Sequence, residues 1–414
     1  MKILMINNLY HPHVLGGAER VVQLLAESMV ERGHRVTVAS AAPGHGTQTR
    51  QVNGVTAHYL GVPKLLWPYY PGYNPKHVKL IWKGLDSLTV GMVGRLDRLL
   101  NREKPDVVHT HNLPGFSVAA WRAVKKRRLP LVHNLHDYSL LCGRSSMFKS
   151  ENCEGQCLGC RLYAVSKKGP SRLVDAVVGV SRFVLERHLQ YGFFSGARHQ
   201  DVIFNSCEPR SDPATRARKV AAPVRLGFLG RLQPTKGLEW LLEALRRSSF
   251  EQWELWVAGA GDARYVDDLR RRYASPRVNF LGFVPPEELF RRIDALVVPS
   301  LWEEPFGMII IESYAHGVPV IASRRGGIPE IVEEGRTGFL FDPESPSTFL
   351  AAIRKCVDEP ECAAQMGTRA SEKAKEFSRH RAVDRYLEVY ELVRSGVLVS
   401  FQNDTSTRSG CWKG

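Results

Sequence analysis

No stretch of this 414-residue chain strings together the roughly 18 apolar residues that a membrane-crossing helix needs, which sets aside a transmembrane protein. The first apolar run, Lys2 to Asn7, is too short for a signal peptide, and no small-residue cleavage site follows it. It reads instead as an opening β-strand. The expected location is the cytoplasm, either free or peripheral at the inner face of the cell membrane. The pair Gly16-Gly17 after that strand lacks the Gly-x-Gly-x-x-Gly spacing of a dinucleotide-binding turn, which argues against hydride transfer. No recognised nucleic-acid motif is present either, and the basic residues are spread along the chain. Carboxylates are scarce: 42 Asp and Glu face 57 Lys and Arg, a net charge of +15. A charge of that size calls for polyanionic partners, among them nucleotide phosphates and an anionic membrane surface.

What the chain does have is alternation. Short apolar runs and amphipathic segments follow one another almost from end to end, the pattern of parallel α/β layers. In the first half, strands are predicted near 2–7, 35–40, 55–60, 106–111, 130–136, 176–181 and 201–204, and helices near 18–32, 75–102, 117–128 and 182–191. A second series of strands is predicted near 224–230, 254–258, 278–282, 295–299, 319–323 and 338–341. The length suits two domains of about 200 residues, taken as 1–205 and 223–376. Residues 206–222, with prolines, serines and arginines but no hydrophobic period, read as a linker. The tail 397–414 is polar and is expected to be disordered. Two features leave alternatives open. The basic runs Lys125 to Arg128, Arg270 to Arg272 and Arg291-Arg292 suit either solvated helix faces or a membrane-facing patch. The aromatic and basic segment 65–83 suits an interfacial surface, a sugar-stacking platform or core.

The most informative stretch is Glu304-Pro305-Phe306-Gly307-Met308 running on to Glu312. Two carboxylates seven residues apart bracket a turn from the strand 295–300 into a helix over 307–317. Backbone N–H groups at a helix start, together with the helix dipole, favour a phosphate. A carboxylate accepts from both hydroxyls of a diol. The combination points to a sugar nucleotide.

With Gly16-Gly17-Ala18-Glu19, His136-Asp137-Tyr138, Gly230-Arg231-Leu232 through Lys236-Gly237, and Gly317 to Ser323, this stretch resembles the family 4 retaining glycosyltransferases over nearly the whole chain. The resemblance implies an α/β fold of the GT-B kind: two Rossmann-like parallel-sheet domains facing a cleft. It also implies a C-terminal helix, about 377–395 here, that crosses back to the first domain. The implied activity is transfer of a hexose-type sugar, with retention, from a nucleotide-diphosphate sugar to a glycan or lipid-linked acceptor. Cell-surface polysaccharide or glycolipid biosynthesis would be its setting.

Such a transfer needs positive charge on the departing diphosphate, from a metal or from fixed cations. The chain contains no Asp-x-Asp, the metal-holding element of the other main transferase fold, which favours fixed cations and no required cofactor. Arg231 and Lys236 flank a strand-to-helix loop and match the family's diphosphate-binding pair. The resemblance further implies that His136 bonds the transferred sugar near the reacting centre. Glu304 would meet donor sugar hydroxyls and Glu312 the nucleotide ribose. The N–H groups of Phe306, Gly307 and Met308 would hold phosphate or sugar, and the Gly17 loop would close from the opposite side. His109, His111 and His133 are read as packing residues.

Two departures stand out. Asn205-Ser206-Cys207-Glu208 replaces the family's usual Asn-Gly-Val-Asp. Cys142, Cys153, Cys157 and Cys160 follow the histidine motif with the spacing Cys-x10-Cys-x3-Cys-x2-Cys, which leaves structural zinc and free thiols in an acceptor-side loop as alternatives. Two other functional readings stay open: a catalytically silent nucleotide-sugar-binding module, and a basic nucleic-acid-binding protein, although no specific nucleic acid is expected.

Overall fold

The computed structural model describes residues 1–14, 16–62, 90–208 and 223–396. The aromatic and basic segment 65–83, the first part of the helix predicted at 75–102, most of the linker and the tail lie outside them.

The first half runs β1 (Lys2–Ile6), α1 (Gly17–Glu31), β2 (Arg35–Pro43), β3 (Thr47–Val52), β4 (Val55–Val62), α2 (Val90–Glu103), β5 (Val107–Thr110), α3 (Ala119–Lys126), β6 (Leu131–Leu135), α4 (Leu158–Ser171), β7 (Ala176–Gly179), α5 (Arg182–Gln190) and β8 (His199–Val202). Its sheet has the order β3-β4-β2-β1-β5-β6-β7-β8. Every pairing is parallel except β3 with β4. Helices cover both faces, so the central strands are apolar without alternation. In β1, Leu4 and Ile6 point into one core, while Ile3 and Met5 point into the other beside Val22 and Leu25 of α1.

The second half runs β9 (Val224–Leu229), α6 (Leu238–Arg246), β10 (Trp253–Ala258), α7 (Ala263–Arg272), β11 (Val278–Gly282), α8 (Pro286–Phe290), β12 (Ala295–Val298), α9 (Met308–Ala315), β13 (Val320–Ser323), α10 (Ile328–Ile331), β14 (Gly338–Phe341), α11 (Pro346–Asp358), α12 (Pro360–Ala374) and α13 (Arg379–Ser395). Its sheet is parallel throughout, in the order β11-β10-β9-β12-β13-β14.

α13 returns to the first sheet. Its Val383, Tyr386, Val389 and Tyr390 share a core with Ile3, Met5 and Val132. Arg385 pairs with Asp201 at 2.7 Å and Asp384 with Arg32 at 2.8 Å, closing the rim of that contact.

Two elements escape the sequence pattern. β3 is an exposed polar edge strand, Thr-Gln-Thr-Arg-Gln-Val, with no apolar period to reveal it. It is turned onto β4 by Asn53 and Gly54, both at positive φ, as a two-residue hairpin requires. α4 begins inside the cysteine segment, where no helix is predicted.

The basic runs resolve into ion pairs. Lys125 meets Asp175 at 2.8 Å, Arg272 meets Glu239 at 2.7 Å, and Arg292 meets Glu288 at 2.8 Å. These are mostly partly exposed helix-surface pairs. Among the described residues no helix is long and apolar enough to cross a membrane.

Candidate active site

Each sheet reverses its winding beside its first strand, and the crevice at the carboxyl ends of the strands flanking such a reversal is where α/β sheets bind ligands. In the second sheet the crevice lies between β9 and β12. The chain leaving β9 makes one 3-10 turn, Pro234–Lys236, and enters α6 through Gly237 at φ +74. A Cβ on Gly237 would lie 1.8 Å from the Pro299 carbonyl oxygen, so only glycine lets this loop press against the end of β12. The close approach carries Lys236 to Glu304: Lys236 Nζ donates to Glu304 Oε2 at 2.6 Å. The same oxygen accepts from Trp302 Nε1 at 2.9 Å and Ser300 Oγ at 3.1 Å. The ammonium also sits 5.3 Å from the Trp302 ring centroid.

Gly307, at φ +111, precedes α9 and offers no side-chain cap, so the first N–H groups of that helix have no intrahelical acceptor. Glu312 lies one turn further in. Burial raises its pKa above the usual 4.5, against the pull of nearby Arg20 from α1. Arg231 is exposed on the same rim and within electrostatic reach of Glu19.

The first domain supplies the facing wall. Gly17 starts α1, and a Cβ there would come within 3.1 Å of Met308 Cγ, so the glycine loop and the start of α9 touch across the cleft. Glu19 is buried, with a pKa raised by desolvation. His136 follows β6. Its Nε2 lies 2.9 Å from Asn134 Nδ2 and 3.0 Å from His111 Nδ1. Tyr386 of α13 donates to Asn134 Oδ1 at 2.8 Å, and Tyr390 meets His109 Nδ1 at 2.7 Å, with the His109 ring 4.0 Å from that of His111. Burial pushes the His136 pKa down to about 4, so the ring is neutral at physiological pH. Asn134 Nδ2 carries only donor hydrogens, so His136 Nε2 accepts. The ring proton is left on Nδ1.

Further contacts lock the two domains together. Tyr138 donates to the Glu303 carbonyl at 2.9 Å, Asn152 brackets Leu301 and Glu303, and Ser181 donates to the Pro305 carbonyl at 2.6 Å. Glu330 accepts from the Arg182 and Phe183 N–H groups at the start of α5, where the dipole favours a carboxylate. Phe306 turns its ring inward against Phe204 and Phe377, leaving only its backbone for a ligand. In Asn205-Ser206-Cys207-Glu208, which stands in place of the family's Asn-Gly-Val-Asp, Cys207 N–H donates to the Phe377 carbonyl at 3.0 Å, and its thiol faces the Ile311 carbonyl.

The structure thus brings Lys236, Glu304, Gly307, Met308 and Gly17 to one place, with Glu312, Arg231 and His136 around it. Sequence reasoning missed Trp302, Arg20, Asn134, Tyr386 and the part played by His111. Trp302 sits two residues before Glu304 and Asn134 two before His136, so both were readable locally; Arg20, Tyr386 and His111 meet the site only through the fold.

The four cysteines lie on the loop after His136 and the start of α4. Cys142 is buried, Cys153 and Cys160 half-buried, and Cys157 exposed. Cys160 is pushed up to about 12 by burial and by hydrogen bonding to Cys142 and Cys157. Among the described residues, no group of three or more His, Cys, Asp or Glu is arranged to hold a metal ion.

Residues 16–206 match the family model described as glycosyl transferase 4-like domain, and residues 223–359 the one described as glycosyl transferases group 1. A relative from Klebsiella pneumoniae, described as an uncharacterized 42.6 kDa protein in the cps region, is 30% identical over 80% of this chain and 87% of its own. Glycogen synthase of Mycobacterium tuberculosis is 27% identical over 96% of both chains. Among solved structures, sucrose-phosphate synthase from Thermosynechococcus elongatus superposes with a TM-score of 0.74 at 20% identity, over 96% of this chain and 100% of that one. Anabaena Alr3699/HepE in complex with UDP-glucose gives 0.66 at 21% identity, over 94% and 99%. At these identities the structural likeness establishes the fold.

Proposed function

The chain belongs to the group 1 glycosyltransferases of GT-B fold, and from that premise we propose that its cleft binds a nucleotide-diphosphate sugar and transfers the sugar with retention, without a required metal. The observation that carries this reading is the Lys236–Glu304 pair at 2.6 Å, set beside the uncapped start of α9 and facing Gly17. The cation and the carboxylate satisfy each other. A donor would part them, with Lys236 and Arg231 taking the diphosphate and Glu304 the sugar hydroxyls. Trp302 and Ser300 would keep Glu304 oriented throughout.

In this reading the N–H groups at the start of α9 hold phosphate or sugar oxygens, and Glu312 accepts from the ribose diol. His136 offers its Nδ1–H to the transferred sugar. The bond from the anomeric carbon to the leaving phosphate oxygen breaks while the acceptor oxygen approaches from the same face. That phosphate oxygen takes the acceptor proton, and the two fixed cations offset its growing charge. The acceptor in this reading is a glycan or lipid-linked molecule, in cell-surface polysaccharide or glycolipid synthesis. A catalytically silent module is the lesser reading, since the cations, the carboxylates and the oriented histidine are all in position.

A thermal-shift screen with UDP, GDP, ADP and their sugar conjugates tests the proposal. Stabilisation by one nucleotide series that survives EDTA is expected, since a ligand that binds only the folded state raises its stability. Stabilisation abolished by EDTA would overturn the metal-independent part, and no shift at millimolar nucleotide would overturn donor binding.

A further inference from the structure

Among the described residues, the exposed large hydrophobics are Val14, Leu158, Leu162, Val165 and Phe283, and three of these five lie on α4. Leu158, Leu162 and Val165 are 74%, 68% and 69% exposed. Their spacing of four and then three residues lines them up along one face of the helix. Ala164, Lys167 and Pro170 on the opposite face are buried against the domain. A contiguous apolar stripe of this kind marks an interaction surface rather than the scattered exposure that is normal for a soluble fold.

Charge identifies its occupant. From Leu158 to Arg172 there is no Asp or Glu, while Arg161, Lys168 and Arg172 are all exposed. Arg161 and Lys168 each stand three residues beyond a stripe member, so both lie along the same edge of it, and Arg172 continues that edge past the helix end. Lys167 is turned inward, over the Tyr163 ring and toward the Ser139 carbonyl. An apolar stripe edged on one side by cations and on the other by the uncharged Gly159 and Ser166, with no carboxylate along the helix, is the pattern of a helix lying in the interface of an anionic bilayer. A protein partner would be expected to leave some carboxylate on such a face.

We propose that α4 docks this enzyme on an anionic lipid surface through Leu158, Leu162 and Val165, with Arg161, Lys168 and Arg172 on the headgroups. The helix is tied to the catalytic loop. Lys167 reaches Ser139, three residues after His136; Gln156 donates to the Leu141 carbonyl at 2.7 Å; and Asn152 bonds Leu301 and Glu303 of the second domain. Docking therefore sets the cleft beside the lipid surface. Resting on the function proposed above, this favours a lipid-linked acceptor over a free glycan.

The test is co-sedimentation of the full chain with phosphatidylcholine vesicles, with and without phosphatidylglycerol, comparing wild type with the triple variant Leu158→Ser/Leu162→Ser/Val165→Ser and with Arg161→Glu/Lys168→Glu. All five positions are exposed, so both variants should fold. Wild type should partition onto the phosphatidylglycerol vesicles in a salt-sensitive way. Both variants should bind at least about tenfold more weakly. Equal partitioning of wild type and triple variant, or none by wild type, would overturn the proposal. So would sedimentation velocity showing that the stripe instead pairs two copies of the chain. Nucleotide thermal shifts run on the same samples separate the two ideas: a triple variant that keeps its nucleotide shift but loses vesicles reports on docking alone, while a wild type with no nucleotide shift indicts the donor site.

Discussion

Lys236 is the residue on which the donor site turns, because it is bonded to Glu304, the first carboxylate of the Glu-x7-Glu motif. Replacing it by alanine leaves Glu304 its bonds from Ser300 and Trp302, so the fold should hold while diphosphate stabilisation is lost. Lys236→Ala should lower kcat by about 10²- to 10³-fold, the usual cost of removing one preorganised charge-stabilising group, with an unchanged circular dichroism spectrum. Glu312 predicts a pH effect. Its pKa is raised by burial, and only the ionised form accepts from both hydroxyls of a diol. Donor affinity should therefore fall on acidification, beginning above the ordinary carboxylate range, and Glu312→Gln should flatten that dependence. Lys236, Glu304 and Gly307 were legible because short-range geometry dictates them: a glycine where φ must be positive, a carboxylate just before a helix. Arg20 and Tyr386 were not, since their partners, Glu312 and Asn134, come from distant parts of the chain.

At the scale of elements, α13 does more than brace the first domain. Its Tyr386 bonds Asn134, and Asn134 in turn fixes the acceptor role of His136 Nε2, so a helix 252 residues away in sequence sets which ring nitrogen keeps the proton. Tyr386→Phe frees the Asn134 side chain and leaves the helix packed. Expected are a several-fold fall in kcat with little change in KM, a displaced 15N signal for His136, and a stability loss of about 1 kcal/mol by denaturant unfolding. An unchanged 15N signal would make Tyr386 structural only. Most strands and helices were readable because parallel strands buried on both faces carry dense apolar runs. β3 was hidden by its polar edge position. α4 was hidden because its outward face is apolar, so the expected contrast between polar and apolar faces is missing.

For the whole molecule, the consequence concerns acid stability. His109, His111, His133 and His188 are buried, and burial holds each of them and His136 well below the ordinary 6.5, to about 4 for His136 and His188 and about 3 for His109. A histidine lowered in this way takes up a proton on unfolding at pH values between its folded and unfolded pKa. Stability should be full above about pH 6.5 and fall as pH drops through 6 and 5 toward 4. Each unit of difference is worth about 1.4 kcal/mol, so several such groups make the loss steep. The melting temperature measured across that range should drop more for the wild type than for His188→Gln, by about the share of one of these five histidines, since the substituted side chain does not titrate.

The central claim is that the crevice between β9 and β12 takes a nucleotide diphosphate, and calorimetric titration addresses it most directly. UDP, GDP and ADP would be titrated into wild type and Lys236→Ala. The account predicts that one nucleotide binds the wild type and binds the variant at least about tenfold more weakly, as loss of a charge-assisted contact worth roughly 1.5–3 kcal/mol requires. Equal affinity for both proteins, or no binding to the wild type, would contradict it.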